Sequence, residues 1–117
     1  MFKELREGNW VEALETEDSW SPMKVNRDNL VAVEMLPHRF RPIKMDWEML
    51  SRIEGIRFSQ EPHRVYDPKG DWLVSIRDGK CLVGFKASVF EIDELHRVQN
   101  AVQAITGKEI SLSYEQE

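Results

Sequence analysis

The chain has 117 residues, a single cysteine and a formal net charge of −5. That length suits one domain, 1–117, burying its own core without disulfides or metal clips, and the lone Cys81 excludes an internal bridge and fits a reducing cytoplasm. The acidic balance opposes a general affinity for phosphate backbones, and the sequence carries neither a signal-peptide core nor the roughly 20-residue apolar run that spans a bilayer, so a soluble, cytoplasmic protein with no membrane contact is expected.

Taken in order, residues 1–8 form a lead-in that ends at the turn signal Gly8-Asn9. Residues 9–14 alternate loosely around Trp10 and Val11 and read as a first strand. A polar turn over 16–22 leaves Trp20 exposed or half-buried, and 23–25 make a brief second strand. Residues 29–36 are dense in apolar side chains and stop at Pro37, which predicts the clearest early strand. Three short strands within 1–44 suggest a small curled sheet or partial barrel.

The segment 38–45 is extended, because Pro42 pushes the residue before it out of the helical region. Asp46 then caps a short middle helix over 47–54, with Trp47, Leu50 and Ile53 on its buried stripe, Met49 alongside and Gly55 as its stop. A strand is expected over 56–59, a loop over 61–64, and a return to the sheet at Val65 and Tyr66. Asp67-Pro68-Lys69-Gly70 is a turn. Residues 72–77 and 80–85 flank Asp78-Gly79, a dipeptide made for a tight hairpin. One more strand, 89–92, leads into the longest helix, 93–106. Leu95, Val98, Val102 and Ile105 recur there at intervals of three and four, with Ala101 beside them. Asp93 caps that helix and Gly107 ends it; Ile110 and Leu112 close the domain as a short strand. The class expected is α+β: a mostly antiparallel sheet packed by one short middle helix and one longer C-terminal helix over 45–117.

Chemistry is sparse. The six glycines are scattered singly, so no phosphate loop forms, and Cys81, His38, His63 and His96 lack zinc spacing. No metal and no cofactor is expected. Cys81 sits in an apolar strand, where thiols are packing atoms. Two features remain. On the polar face of the last helix, turns of about 100° bring His96, Asn100 and Gln103 together with Gln99 at the margin. Amides both donate and accept, so this stripe suits a partner's backbone, a second packed layer or another copy of the chain equally well. The second feature is His38-Arg39-Phe40-Arg41, where guanidiniums flank an aromatic ring as in a phosphate and base site. Simple alternation, with Phe40 inward and the arginines in water, accounts for it as well.

Two further patterns carry a resemblance. The run His96-x-x-Gln99-Asn100-x-x-x-Ala104-x-Thr106-Gly107-x-Glu109-Ile110, together with Glu4-Leu5-Arg6-Glu7-Gly8-Asn9-Trp10-Val11, resembles the closing and opening motifs of short uncharacterised proteins of Bacteroidetes and their phages. The stretch Phe40-Arg41-Pro42-Ile43, followed by a capped helix and Gly55, is similar to their middle region. Ala101, Val102 and Gln103 replace aromatic positions of that family, and Asp46 replaces a threonine cap. The resemblance implies this order of elements and an accessory role in a phage or mobile element; it carries over no catalytic residue.

The expectation is a non-enzymatic protein-binding module acting on a host or defence component through His96, Gln99, Asn100 and Gln103. The alternative is a nucleotide or short nucleic-acid binder using the basic segment 38–44, with Arg39 and Arg41 as its contacts. A hydrolase built on His96 and a carboxylate ranks last.

Overall fold

The computed structural model describes residues 5–58 and 61–113. The lead-in residues 1–4, the expected strand end at Ser59 and the acidic tail 114–117 lie outside the described residues. The α+β class holds, with two antiparallel sheets and three α-helices among those residues.

The first sheet has the order β2-β1-β3. Strand β1 (Trp10–Thr16) turns at Glu17-Asp18 directly into β2 (Ser19–Lys24), so most of the expected polar turn is strand. Pro22 is tolerated there because β2 is an edge strand, where a missing N–H costs no ladder bond. The third strand of this sheet comes from elsewhere. Residues 29–35 are helical, within α1 (Arg27–Met35), with Leu36 as its C-cap, and 29–36 are not the strand that their apolar density predicts. Local capping decides it: Asn26 Oδ1 accepts from Asn29 N–H at 2.9 Å, and Asn29 Oδ1 accepts from Asn26 N–H at 3.1 Å. This reciprocal pair satisfies two donors that a helix start leaves open. A 3-10 turn (Pro37–Arg39) then leads into β3 (Phe40–Pro42), which pairs with β1.

Beyond β3 the chain crosses to the second sheet. Met45 N–H donates to the Asp93 carbonyl at 2.8 Å, and Leu95 N–H donates to the Ile43 carbonyl at 2.8 Å. Helix α2 (Trp47–Arg52) starts as expected, the Asp46 carboxylate accepting from Met49 N–H at 2.9 Å. It buries Met49 and Leu50, with Ile53 just beyond, but Trp47 stays 52 % exposed. Gly55 is not its stop. A Cβ there would lie 2.5 Å from the Tyr66 carbonyl oxygen and 2.6 Å from Val65 Cγ1, so the site is a close approach that admits no side chain.

The second sheet is a meander of β4 (Ile56–Phe58), β5 (Glu61–Tyr66), β6 (Leu73–Arg77), β7 (Lys80–Phe85) and β8 (Ser88–Glu91). The loop expected over 61–64 is thus part of β5. Asp78 (φ 53°) and Gly79 (φ 76°) both adopt the left-handed conformation of a mirror-image hairpin turn. Val65, Val74 and Val83 are cross-strand partners or neighbours in one row, and all three are fully buried.

Against that row lies α3 (Leu95–Thr106), which contributes Leu95, Val98 and Val102 to a core shared with Met49, Leu50 and Cys81. Two details differ from expectation. Asp93 does not cap α3: the helix begins after Glu94 with no side-chain cap, because pairing with 43–45 keeps the preceding residues extended. Ile105 is largely exposed, one turn past the core. Gly107 ends α3 in the left-handed conformation, as expected. Leu112 is buried and forms a single bridge to Ile53 instead of a strand. No helix among the described residues is long and apolar enough to cross a membrane.

Candidate functional site

The polar stripe of α3 is divided by its surroundings. His96 and Gln99 are buried, Asn100 is half-buried and Gln103 is exposed. What meets Gln99 is the beginning of the chain. Gln99 Oε1 accepts from Trp10 N–H at 2.8 Å, and Gln99 Nε2 donates to the Gly8 carbonyl at 3.2 Å. One side chain thereby serves both polar groups of the strand entrance, the capacity specific to an amide. Asn100 Oδ1 accepts from Asn9 Nδ2 at 2.9 Å. Arg6 completes the junction, bridging to Glu109 at 3.0 Å and donating to the Gln99 carbonyl at 3.4 Å.

The local chain is shaped for this contact. Gly8 takes φ 94°, a left-handed geometry that lets Asn9 N–H donate back to the Arg6 carbonyl at 3.2 Å. The buried Asn9 then turns its Oδ1 to Arg6 N–H at 2.8 Å and its Nδ2 to α3. The opening motif and the closing motif of the sequence are therefore two halves of one polar clasp. Arg6, Gly8, Asn9 and Trp10 meet Gln99, Asn100 and Glu109 across some ninety residues of sequence.

The basic segment is also engaged with its own sheet. Arg41 Nε donates to Glu12 Oε1 at 2.9 Å, and its guanidinium lies 4.1 Å from the centre of the Trp20 ring. Register explains the trio, since Arg41 is directly opposite Glu12 in the β1–β3 pair. Arg39 donates to the Leu14 carbonyl at 3.3 Å, while His38 and Lys44 are exposed. The structure thus brings Arg39 and Arg41 together along β1, away from the clasp, with Arg41 already holding an anion of its own. Trp20, half-buried under Arg41, is less exposed than Trp47.

Cys81 is buried, and burial, with a smaller contribution from the Asp93 charge, pushes its thiol from the ordinary 9.0 up to about 12. A thiol held neutral that far above physiological pH is a packing group, not a nucleophile. Among the described residues no three His, Cys, Asp or Glu side chains gather as a metal site. A cleft of about 420 Å³ near the end of α3 is rimmed by Glu54, Asp67, Asp71 and Glu109, the last of these neutralised by Arg6.

The residues that sequence reasoning misses are apolar. Val31, Met35 and Leu36 project into water from α1 and the turn that follows, Met35 at 73 % exposure. Val31 and Met35 are one helical turn apart, so they form one stripe. The signal that would have found it is the Asn26-x-x-Asn29 spacing, a capping box that recasts 27–36 as helix with a different outward face. Val89 and Phe90 on β8 are exposed as well. No protein-family model, curated protein or solved structure matches this chain.

Proposed function

We propose that this chain is a non-enzymatic protein-binding module, an accessory protein of a phage or mobile element acting on a host or defence component, and that α1 is its contact element. The observation that carries the reading is the uncovered stripe of Val31 and Met35, with exposed Leu36 just beyond, on a helix whose one buried residue is Val33. Large apolar side chains in water cost hydration free energy that a partner removes by covering them. His38 and Arg39, exposed in the 3-10 turn that follows this helix, favour a partner that places acidic groups around an apolar centre. The neutral, buried Cys81 supports a role other than covalent chemistry.

The test is affinity capture of the tagged protein from its phage-infected host, comparing the wild type with Val31→Lys/Met35→Lys and with Gln103→Ala. Expected is one stoichiometric protein, lost with the α1 variant and retained with Gln103→Ala. A wild type that holds no stoichiometric protein, or holds a nucleotide in place of one, refutes the reading.

A further inference from the structure

The open edge of the second sheet carries an inference that is independent of α1. Strand β8 is paired with β7, and among the described residues no strand lies along its other side. The direction of each backbone group follows from two bonds. Ile92 N–H donates to the Cys81 carbonyl at 3.0 Å, so Ile92 faces β7, and by alternation so do Phe90 and Ser88. Asp93 faces the other way, its carbonyl accepting from Met45 N–H at 2.8 Å. Val89 and Glu91 share the parity of Asp93. Each turns one N–H and one C=O toward the open side, on an edge bounded by the Lys86-Ala87 turn and by Met45.

The side chains along this edge are apolar. Phe90 is opposite Val83, which puts it on the core face of the sheet, yet it is 43 % exposed. It lies beside a groove whose far wall is Ala101, Ala104 and Ile105 of α3, and its ring meets Phe85 edge-on at 6.1 Å. Val89, on the opposite face, is 66 % exposed. Natural sheets protect such edges with proline, inward charge or a covering element. The four-residue edge is short and carries Glu91, but among the described residues it has no proline, no inward charge and no element lying across it.

We propose that the β8 edge pairs with the same edge of a second copy of this chain, antiparallel about a two-fold axis at Phe90. In that register Val89 faces Glu91 of the second copy and Glu91 faces its Val89, so all four outward groups of each copy find complements. A two-residue slip leaves Glu91 opposite the turn residue Ala87, and a one-residue slip turns one core face to the other's solvent face. At the axis the two Phe90 rings form a non-hydrogen-bonded pair, the closer kind, and cover each other's groove. The exposed Lys86 at the hairpin tip comes next to the exposed Asp93 of the second copy, twice by symmetry. A foreign strand would satisfy the backbone groups too; the match of Lys86 to Asp93 and of Phe90 to itself selects a second copy.

Light scattering on the full-length protein, with cysteine substitutions, tests this. The wild type is expected at twice the 13.8 kDa chain mass, dissociating on dilution. Phe90→Cys is expected to oxidise to a covalent dimer, because Cα atoms of such a pair lie about 4.5 Å apart, within disulfide reach. Val89→Cys, facing Glu91 of the second copy, does not, and the buried Cys81 does not compete. Lys86→Asp weakens association about tenfold, and adding Asp93→Lys restores it. A wild type that is monomeric at every concentration, its edge bare or kept for a foreign strand, overturns the proposal. So does a dimer that cross-links through Val89→Cys in preference to Phe90→Cys.

Discussion

Replacing Gln99 by alanine tests whether the amide stripe of α3 is architecture. Gln99 is 2 % exposed, and its side-chain Oε1 is the acceptor for the Trp10 N–H at 2.8 Å. Without it that N–H is left in a dry site, at a cost of about 1–3 kcal/mol, and loss of the bond to the Gly8 carbonyl adds about 1 kcal/mol. The void left by the shortened side chain contributes roughly another 1 kcal/mol where its neighbours do not close. The expected destabilisation is therefore about 3–5 kcal/mol, a large share of the roughly 5–15 kcal/mol that holds a typical domain. Gln99→Met, which keeps most of the volume and neither bond, isolates the polar part at about 2–4 kcal/mol. Urea unfolding followed by tryptophan fluorescence gives both numbers, with Trp10 as a reporter at the junction itself. If Gln99→Ala costs less than about 0.5 kcal/mol, the size of an ordinary surface change, the clasp does not hold the fold and the argument fails.

Two further predictions concern groups for which sequence and structure disagree or sharpen each other. Asp46→Ala is expected to cost about 1 kcal/mol in the same unfolding assay, because the Asp46 carboxylate accepts the Met49 N–H. Asp93→Ala, at the start of the longer helix, stays within about 0.5 kcal/mol, since α3 has no side-chain cap to lose; equal costs would contradict this. The thiol of Cys81 ionises near 9.0 in an unfolded chain and at about 12 in the folded one. As pH rises above 9.0 the unfolded state gives up its proton first, so stability falls by up to about 1.4 kcal/mol per pH unit until the folded thiol ionises as well. Cys81→Ala should lack that slope, and native Cys81 should resist thiol reagents until the protein unfolds. Rapid native labelling would show the thiol to be accessible.

What the sequence discloses depends on how local the deciding interaction is. The Asp78-Gly79 hairpin is legible because the turn geometry is dictated by those two residues. The Asp46 cap and the Leu95, Val98, Val102 stripe are legible for the same reason. Residues 29–36 mislead because Val31, Val33 and Met35 alternate as in a strand, while the deciding signal, Asn26 with Asn29, sits at the front of the segment. Trp47 satisfies a helical stripe on paper but is largely exposed. Helix geometry puts His96, Asn100 and Gln103 on one side of α3, but burial divides them, His96 being buried and Gln103 exposed. Which neighbours meet them depends on β1 arriving from the far end of the chain, and no local rule reports that. The outward stripe of α1 is hidden behind the strand expectation.

The clasp also changes where binding should be sought. Helix α3 is engaged on two sides, its apolar stripe by the second sheet and Gln99 and Asn100 by the strand entrance at Gly8 to Trp10. Substitutions in either sequence motif would abolish any function of the protein, but they would do so by loosening the junction of its two ends, and binding would be lost in step with stability. Substitutions at Val31, Met35 or Phe90 act the other way, since these side chains are exposed and contribute little to the folded state alone. Loss of association at unchanged stability is thus the signature of a contact residue here, and loss of both is the signature of the clasp. By that criterion the surfaces to test first are α1 and the β8 edge, where neighbouring apolar residues of one element are exposed.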